Sequence, residues 1–452
     1  MNTSGKPSAP AIQRVTQFAK SDALRALVHE YIPGGAHTYS KGDDQFPARA
    51  PSFIVRGRGA YIWDPDGNRY IDYGMGLRSV LLGHAYAPVV DAVRLELENG
   101  TNFTRPSPLE LSLAMQLRKS LPVADMVKFA KNGSTVTTAA VKLARAFTGR
   151  DLIARCRQHA FFSYDDWFIG TTECDAGVPA PISQLTLQFD FNDVASLVRL
   201  FEEHPGKIAG VIMEPATSDA EPAPGYLEAV RDLCTANGAL MIVDEMITGF
   251  RWHPRGALAF YGSVRPDLVT YGKGMANGFS LAALTGRREV MELGGIQHSG
   301  PRVFLISTTH GAETVGLVAA QVTMRLVADL DVPAHLWRIG RLLLASLNAA
   351  AAERGLGEYL QFFGPACSPL YYCRDREGRV SAAYRTLLMQ ELIARGVLMP
   401  TLALSYSHDD AIVDQTVEAF RDALPVYEAA LEKGAEHFLV GPPTRPVFRR
   451  YN

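Results

Sequence analysis

The chain is 452 residues long, enough to outgrow a single hydrophobic core, so a large domain with a smaller one beside it is expected. It is 47% hydrophobic and 20% charged with a formal net charge of −2, which gives no electrostatic reason to expect nucleic acid or an anionic membrane as partner. Five cysteines at scattered positions show no CxxC or Cys/His spacing, so free thiols in a reducing cytoplasm are expected rather than a disulfide framework or a metal site.

Residues 1–20 read as a loose leader, of which 1–13 are polar with prolines and lack the apolar core of a signal peptide. No apolar run approaches the ~20 residues needed to span a bilayer, so a soluble, cytoplasmic protein is expected. Ser21–Glu30 has helical apolar spacing after a candidate Ser21 cap. The stretch 32–50 is dense in turn residues, and Ser52–Trp63 with Arg69–Tyr73 reads as a hairpin around Asp64-Pro65-Asp66-Gly67. Pro88–Glu98 and Pro108–Ser120 are helix-like. From residue 125 to about 310, short apolar runs alternate with helical patterns: Met126–Ala130, Leu152–Arg155, Leu185–Phe189, Ile208–Met213, Ala239–Val243 and Leu268–Thr270 are predicted strands. That alternation predicts a parallel sheet covered by helices. An alanine-rich helical region follows Thr309 to about Glu353, and residues 355–452 mix strands at Leu370–Cys373 and Val397–Met399 with helices at Tyr384–Ala394 and Ile412–Lys433.

The chemistry concentrates where the buried strands end. Asp244 closes the run LMIVDE, and Lys273 follows the run ending at Thr270 in a Gly-Lys-Gly loop. A lone Lys-Gly is more often a surface turn, and a lone Asp more often caps the next turn. Both at the carboxyl ends of parallel strands, where ligands collect, is a different matter. A lysine for a Schiff base and a carboxylate to hold a pyridine nitrogen protonated are what pyridoxal phosphate (PLP) requires. Glu245 would face the other side of its strand and read as a structural partner. Gly133, Ser134 and Thr135 open a predicted helix, whose unsatisfied N–H groups and positive dipole end suit a phosphate. Glu214 ends the strand one unit before Asp244 and also belongs to this edge. The aromatic loop Phe161–Trp167 is mostly core material, with one ring able to serve as a stacking face.

These residues carry a resemblance. DEMITGFR (Asp244–Arg251) followed by PDLVTYGKGMANG (Pro266–Gly278), with PGGAH (Pro33–His37), WDPDGNRYIDY (Trp63–Tyr73), IMEPA (Ile212–Ala216) and TTHGAE (Thr308–Glu313), is similar to the class III (subgroup II) PLP-dependent aminotransferases. The nearest resemblance is to their glutamate-1-semialdehyde 2,1-aminomutase branch. The resemblance implies an α/β fold of PLP fold type I, aspartate aminotransferase-like, with a mostly parallel sheet and a smaller α+β lobe. It divides the chain into an N-terminal segment (1–75) packing with the small lobe, a PLP-binding domain (76–330), and a linker helix with the C-terminal domain (331–452). It further implies Lys273 as the Schiff-base lysine, Asp244 as partner of the ring nitrogen, and Gly133, Ser134 and Thr135 as the phosphate turn. Phe161 matches the stacking aromatic, Met246 the apolar residue on the opposite ring face, and Thr309 a threonine reaching the phosphate of a neighbouring subunit. A homodimer with shared active sites follows from that last match.

Three departures bear on substrate. Thr135 stands where the aminomutases carry Glu, FFSYDDW replaces a YHGWHDW-like pattern, and Lys41 aligns with the arginine that grips the substrate carboxylate. Lysine is a point charge without the two-pronged geometry of arginine. Lys41 and Tyr39 are therefore the candidate substrate contacts. The expected activity is transfer of an amino group from a small-molecule donor to an aldehyde or ketone other than glutamate semialdehyde, a carbonyl sugar or other specialised metabolite. The aminomutase is the alternative reading, and a catalytically silent PLP-fold partner protein is the third.

Overall fold

A computed structural model describes residues 14–262 and 264–451. The part of the expected leader before residue 14 lies outside the described residues. Two compact units divide the chain. One takes the described residues up to Leu77, Leu82–Tyr86 and His335–Val447, and the other Arg78–Leu81, Ala87–Ala334 and Phe448 onward.

The larger unit is built on a seven-stranded sheet: β1 (Met126–Ala130), β2 (Leu152–Cys156), β3 (Thr186–Phe189), β4 (Ile208–Met213), β5 (Leu240–Glu245), β6 (Leu268–Tyr271) and β7 (Ala282–Gly286). Their spatial order is β1-β7-β6-β5-β4-β2-β3. Strands β2 to β6 pair in parallel, whereas β7 runs antiparallel to both neighbours. Every residue of β4, β5, β6 and β7 is buried. Both faces of this sheet are covered, so its strands read as continuous apolar runs rather than alternating ones. Helix α1 (Gly133–Thr148) lies on one face, where Val136, Ala140 and Ala144 join Ile153, Ile212 and Ile242 in one core cluster. Truncating such a side chain, as in Ile242→Ala, costs about 2–5 kcal/mol in a core of this kind.

The smaller unit holds a four-stranded sheet in which Arg56–Arg58, Tyr61–Trp63 and Arg69–Asp72 form an antiparallel meander. Val397–Leu398 adds in parallel, opposite Ile71 and Asp72. Ile62, Tyr70, Met389, Ile393 and Leu398 share a core with Val15, Phe18 and Ala50.

The expected α/β architecture, a mostly parallel sheet with a smaller α+β unit, is what the chain adopts. Local details differ. The first helix begins at Ala19 with Phe18 at its cap, and Ser21 is buried inside it, so Ser21 is not the cap. Lys20 and Ser21 instead donate their N–H groups to Asp66. The hairpin region contains a third strand, Arg56–Arg58. The alanine-rich region is two helices, Thr314–Asp329 and Val332–Glu353, separated where Asp331 turns left-handed at φ 44°. Strand β7 was not expected at all.

Candidate active site

Strands β4, β5 and β6 end side by side, and their ends carry Glu214, Asp244 and Lys273. Asp244 is the fifth residue of β5, opposite Thr270 of β6. Its Oδ1 accepts hydrogen bonds from Met246 N at 3.0 Å and Thr270 Oγ1 at 2.8 Å. Its second oxygen accepts none among the described residues. Burial raises the carboxyl to about 6, against the pull of Lys273 and of the two donors. Lys273 follows β6 by two residues and takes a left-handed φ of 39°, unusual for a side chain this long. Burial draws its ammonium below the ordinary value; Asp244 and Glu214 oppose that, while Arg78 and Arg251 add to it. The Glu214 carboxyl moves upward, through burial and the neighbouring Asp244.

Glu245 acts as its place on the opposite side of β5 predicts. It accepts from Thr248 Oγ1 and from the N–H groups of Ala257 and Leu258, both at 2.9 Å, and so caps the helix Ala257–Tyr261.

The phosphate-turn candidates sit at the start of α1, capped by Asn132, whose Oδ1 accepts from Thr135 N at 2.9 Å. Ser134 is buried, and its Oγ accepts from Tyr164 N at 3.1 Å, which leaves the hydroxyl proton to be donated elsewhere. The Met246 thioether ties this turn to the lysine loop. A Cβ on Gly133 would lie 3.1 Å from its Sδ, and one on Gly272 only 2.5 Å. The start of α1, the end of β5 and the end of β6 therefore converge on one spot.

The aromatic loop is stitched to α1. Thr137 Oγ1 donates to Phe162 O at 2.7 Å, and Trp167 Nε1 to Thr138 Oγ1 at 2.8 Å. Ser163 and Asp165 add bonds to Thr138. Phe162, Trp167 and Phe168 are core, whereas Phe161 is 47% exposed and meets Phe168 edge-on at 5.7 Å. Of the two positions where the YHGWHDW-like pattern has histidine, 162 is a core phenylalanine and 165 an aspartate that accepts from Thr138.

The remaining candidates lie elsewhere. Thr309 is exposed, on the wall of a cavity of about 480 Å³ lined also by residues 101–107. Tyr39 and Lys41 form a single 3-10 turn of the smaller unit and are both exposed, and Lys41 makes no ion pair among the described residues. They are not brought together with Lys273 in one unit.

Two titratable neighbours of the site escaped the sequence reading. Arg78 acts electrostatically on both Glu214 and Lys273. The sign of it in the sequence was an arginine inside the apolar stretch Met75–Leu82. His159 is buried, and its Nδ1 accepts from Glu214 N at 2.9 Å. Burial drives the ring down to about 3, so it is neutral with its proton on Nε2. Position 159 lies one turn before the aromatic loop and carries no motif.

The arrangement fits PLP on three counts: a desolvated lysine, a buried carboxylate with one oxygen left for a ring N–H, and a helix start with a hydroxyl for phosphate. Comparison with known proteins agrees. Residues 44–358 match the family described as aminotransferase class-III. The chain is 33% identical to the glutamate-1-semialdehyde 2,1-aminomutase of Thermus thermophilus, covering 89% of this chain and 99% of that one. Among solved structures, the PLP-bearing FumI protein of Sphingopyxis sp. MTA144 superposes with a TM-score of 0.83 at 29% identity, covering 94% of this chain and 98% of the other. An omega-transaminase from Sphaerobacter thermophilus gives 0.80 at 28% identity, covering 90% and 98%. The chain belongs to the class III aminotransferases, a family of pyridoxal phosphate enzymes.

Proposed function

We propose that the protein is a transaminase that moves an amino group from an amino donor to an aldehyde or ketone other than glutamate semialdehyde, a carbonyl sugar or another specialised metabolite. The observation that carries the reading is the convergence of Lys273, Asp244 and the start of α1 at one edge of the sheet, combined with lysine rather than arginine at position 41.

When bound, PLP supplies an electron sink for the carbon that carries the nitrogen. The chain's own residues do the rest. Asp244, held ionised by Thr270 and Met246, keeps a proton on the ring nitrogen. Gly133 and Ser134 would hold the phosphate through N–H and O–H donors, and Thr135, whose N–H and hydroxyl both bond Asn132 Oδ1, would line the same turn. Phe161 and Met246 would face the ring, and Glu214 would set the charge beside it. Lys273 Nζ, desolvated and short of its usual basicity, is the group that would carry a proton between the substrate carbon and C4′ of the cofactor. Lys41 and Tyr39 contact the substrate. Thr309 reaches the phosphate of a second copy, so the working unit is a homodimer of two shared sites.

The 33% identity to an aminomutase over nearly its whole length favours a second reading, amino transfer within one molecule. Incubating the purified holoenzyme with an amino donor and no acceptor separates the two. A transaminase converts its cofactor fully to pyridoxamine phosphate and releases one oxo product per site. Conversion well below one per site, with turnover of glutamate semialdehyde, would overturn the transaminase reading. A third reading, a silent partner protein, predicts no cofactor absorbance band at all; Lys273 and Asp244 placed together speak against it.

A further inference from the structure

Lys131 directly precedes Asn132, the cap of α1, and its side chain is only 23% exposed. Two reciprocal bonds join it to Ser280. Its backbone carbonyl accepts from Ser280 Oγ at 2.6 Å, and its ammonium donates to Ser280 O at 3.1 Å. Ser280 lies two residues before β7, in the loop that opens with Gly272 and Lys273. The same ammonium donates to the Glu313 carboxylate. Glu313 in turn caps the helix Thr314–Asp329, accepting from Val315 N and Gly316 N, both at 3.1 Å. No side chain fits where these groups meet. A Cβ on Gly316 would lie 2.8 Å from Ser280 O and 3.2 Å from Lys131 Nζ.

One residue therefore joins three stretches of the candidate site: the turn 133–135, the loop that carries Lys273, and the run Thr308–Glu313. None of the partners needs the lysine in order to be satisfied. The Glu313 carboxylate sits at a helix start with two N–H donors, where a negative charge is already favoured. Ser280 is exposed, so water can serve its carbonyl and hydroxyl. What the ammonium adds is a fixed register between the segments. The pair is largely withdrawn from solvent, so salt screens it less than it screens a surface pair.

We propose that Lys131 is a positioning residue for the cofactor phosphate, holding the turn 133–135 against the lysine loop before the cofactor arrives. The proposal rests on the phosphate lying at the start of α1. Donors ordered in advance bind an anion more tightly, because less conformational freedom is lost on binding. The ammonium is directed at Glu313 and Ser280, so its effect on the phosphate passes through the backbone that follows it.

The test titrates the full-length apoenzyme of the wild type, Lys131→Met, Lys131→Arg and Glu313→Gln with PLP and with pyridoxal. Pyridoxal has the same ring and aldehyde but no phosphate. Lys131→Met should lose about tenfold in PLP affinity and less than about twofold in pyridoxal affinity. Lys131→Arg should fall between it and the wild type, and Glu313→Gln should show the same selective loss. A staple that serves only the fold would weaken both ligands alike. Equal losses for PLP and pyridoxal, or PLP affinity unchanged in Lys131→Met, would each overturn the proposal. If Lys131→Met does not fold, Lys131→Arg and Glu313→Gln answer by the same ratio. Ser134→Ala tests the underlying placement separately. Should that variant leave the ratio of PLP to pyridoxal affinity unchanged, the phosphate does not lie on this turn, and the Lys131 ratio is still read independently.

Discussion

Thr270 Oγ1 donates a 2.8 Å hydrogen bond to Asp244 Oδ1, residue facing residue across two neighbouring parallel strands. The bond favours the ionised carboxylate against a burial that raises the group to about 6. Removing it with Thr270→Val lets the carboxyl rise further, so less of it is ionised at mildly acid pH. The acid limb of the half-reaction profile should move to higher pH, with rates at pH 6 falling several-fold and rates at pH 8 nearly unchanged. Asp244→Asn, which cannot ionise, should lose roughly 10²–10³-fold at every pH. A Thr270→Val profile superimposable on the wild type would show that Met246 N alone holds the carboxylate.

Lys273→Ala should retain cofactor but transfer no nitrogen on its own. General acid–base catalysis by a placed amine is worth about 10²–10⁴-fold, so single-turnover rates should drop at least that far. Added methylamine should restore part of the rate if the missing function is proton transfer. Proton movement assigned to another residue is the conclusion if Lys273→Ala keeps more than about a tenth of the wild-type rate.

Gly272 has an extended φ of −178°, so space alone forbids a side chain there. A Cβ would sit 2.5 Å from Met246 Sδ. Gly272→Ala should push the methionine aside and weaken cofactor binding, and Gly272→Ala with Met246→Ala should recover most of the loss. A double-mutant cycle on PLP affinity reads the coupling directly; additive effects would mean the two positions do not compete for one space.

His159 links the site to acid stability. Its folded value of about 3 lies below the unfolded 6.5, so its contribution is present above pH 6.5 and is lost as pH falls toward 3. His159→Gln removes that titration. The melting temperature of the wild type should fall relative to the variant between pH 6.5 and 4, each kcal/mol appearing as roughly 2–4 °C. A constant difference over that range would mean the ring takes up its proton equally in the folded and unfolded chains.

The exposed Thr309 supports a mixing experiment. Thr309→Ala and Lys273→Ala subunits, each impaired alone at limiting PLP, should form hybrid dimers in which one of the two sites has both residues intact. Activity should reappear on mixing and unfolding–refolding together. No recovery would show that Thr309 does not serve a second copy.

Much of this site was legible because chemistry interrupts burial. Asp244 and Lys273 stand out where apolar runs meet polar groups, a signal that needs no knowledge of the packing. Strand β7 was not, since Ala282–Gly286 is short, contains two alanines and a glycine, and owes its extended form to pairing on both sides. Arg78 escaped for a different reason. A left-handed turn at Met75 and Leu77 has no sequence signature, and depends on Asp72 accepting two N–H groups ahead of it. Ser21 misled because a capping side chain and a buried helical serine look alike in one dimension.

Strand β7 also fixes how much this enzyme can vary. Because it returns antiparallel beside β6, with Ala283 opposite Tyr271, the lysine sits on a loop, residues 272–281, whose two ends belong to the same ladder. The longer connection at 157–185 and the turns around 36–46 can lengthen or change composition at small entropic cost. New substrates can therefore be acquired by remodelling those segments, while the reacting amine keeps its place.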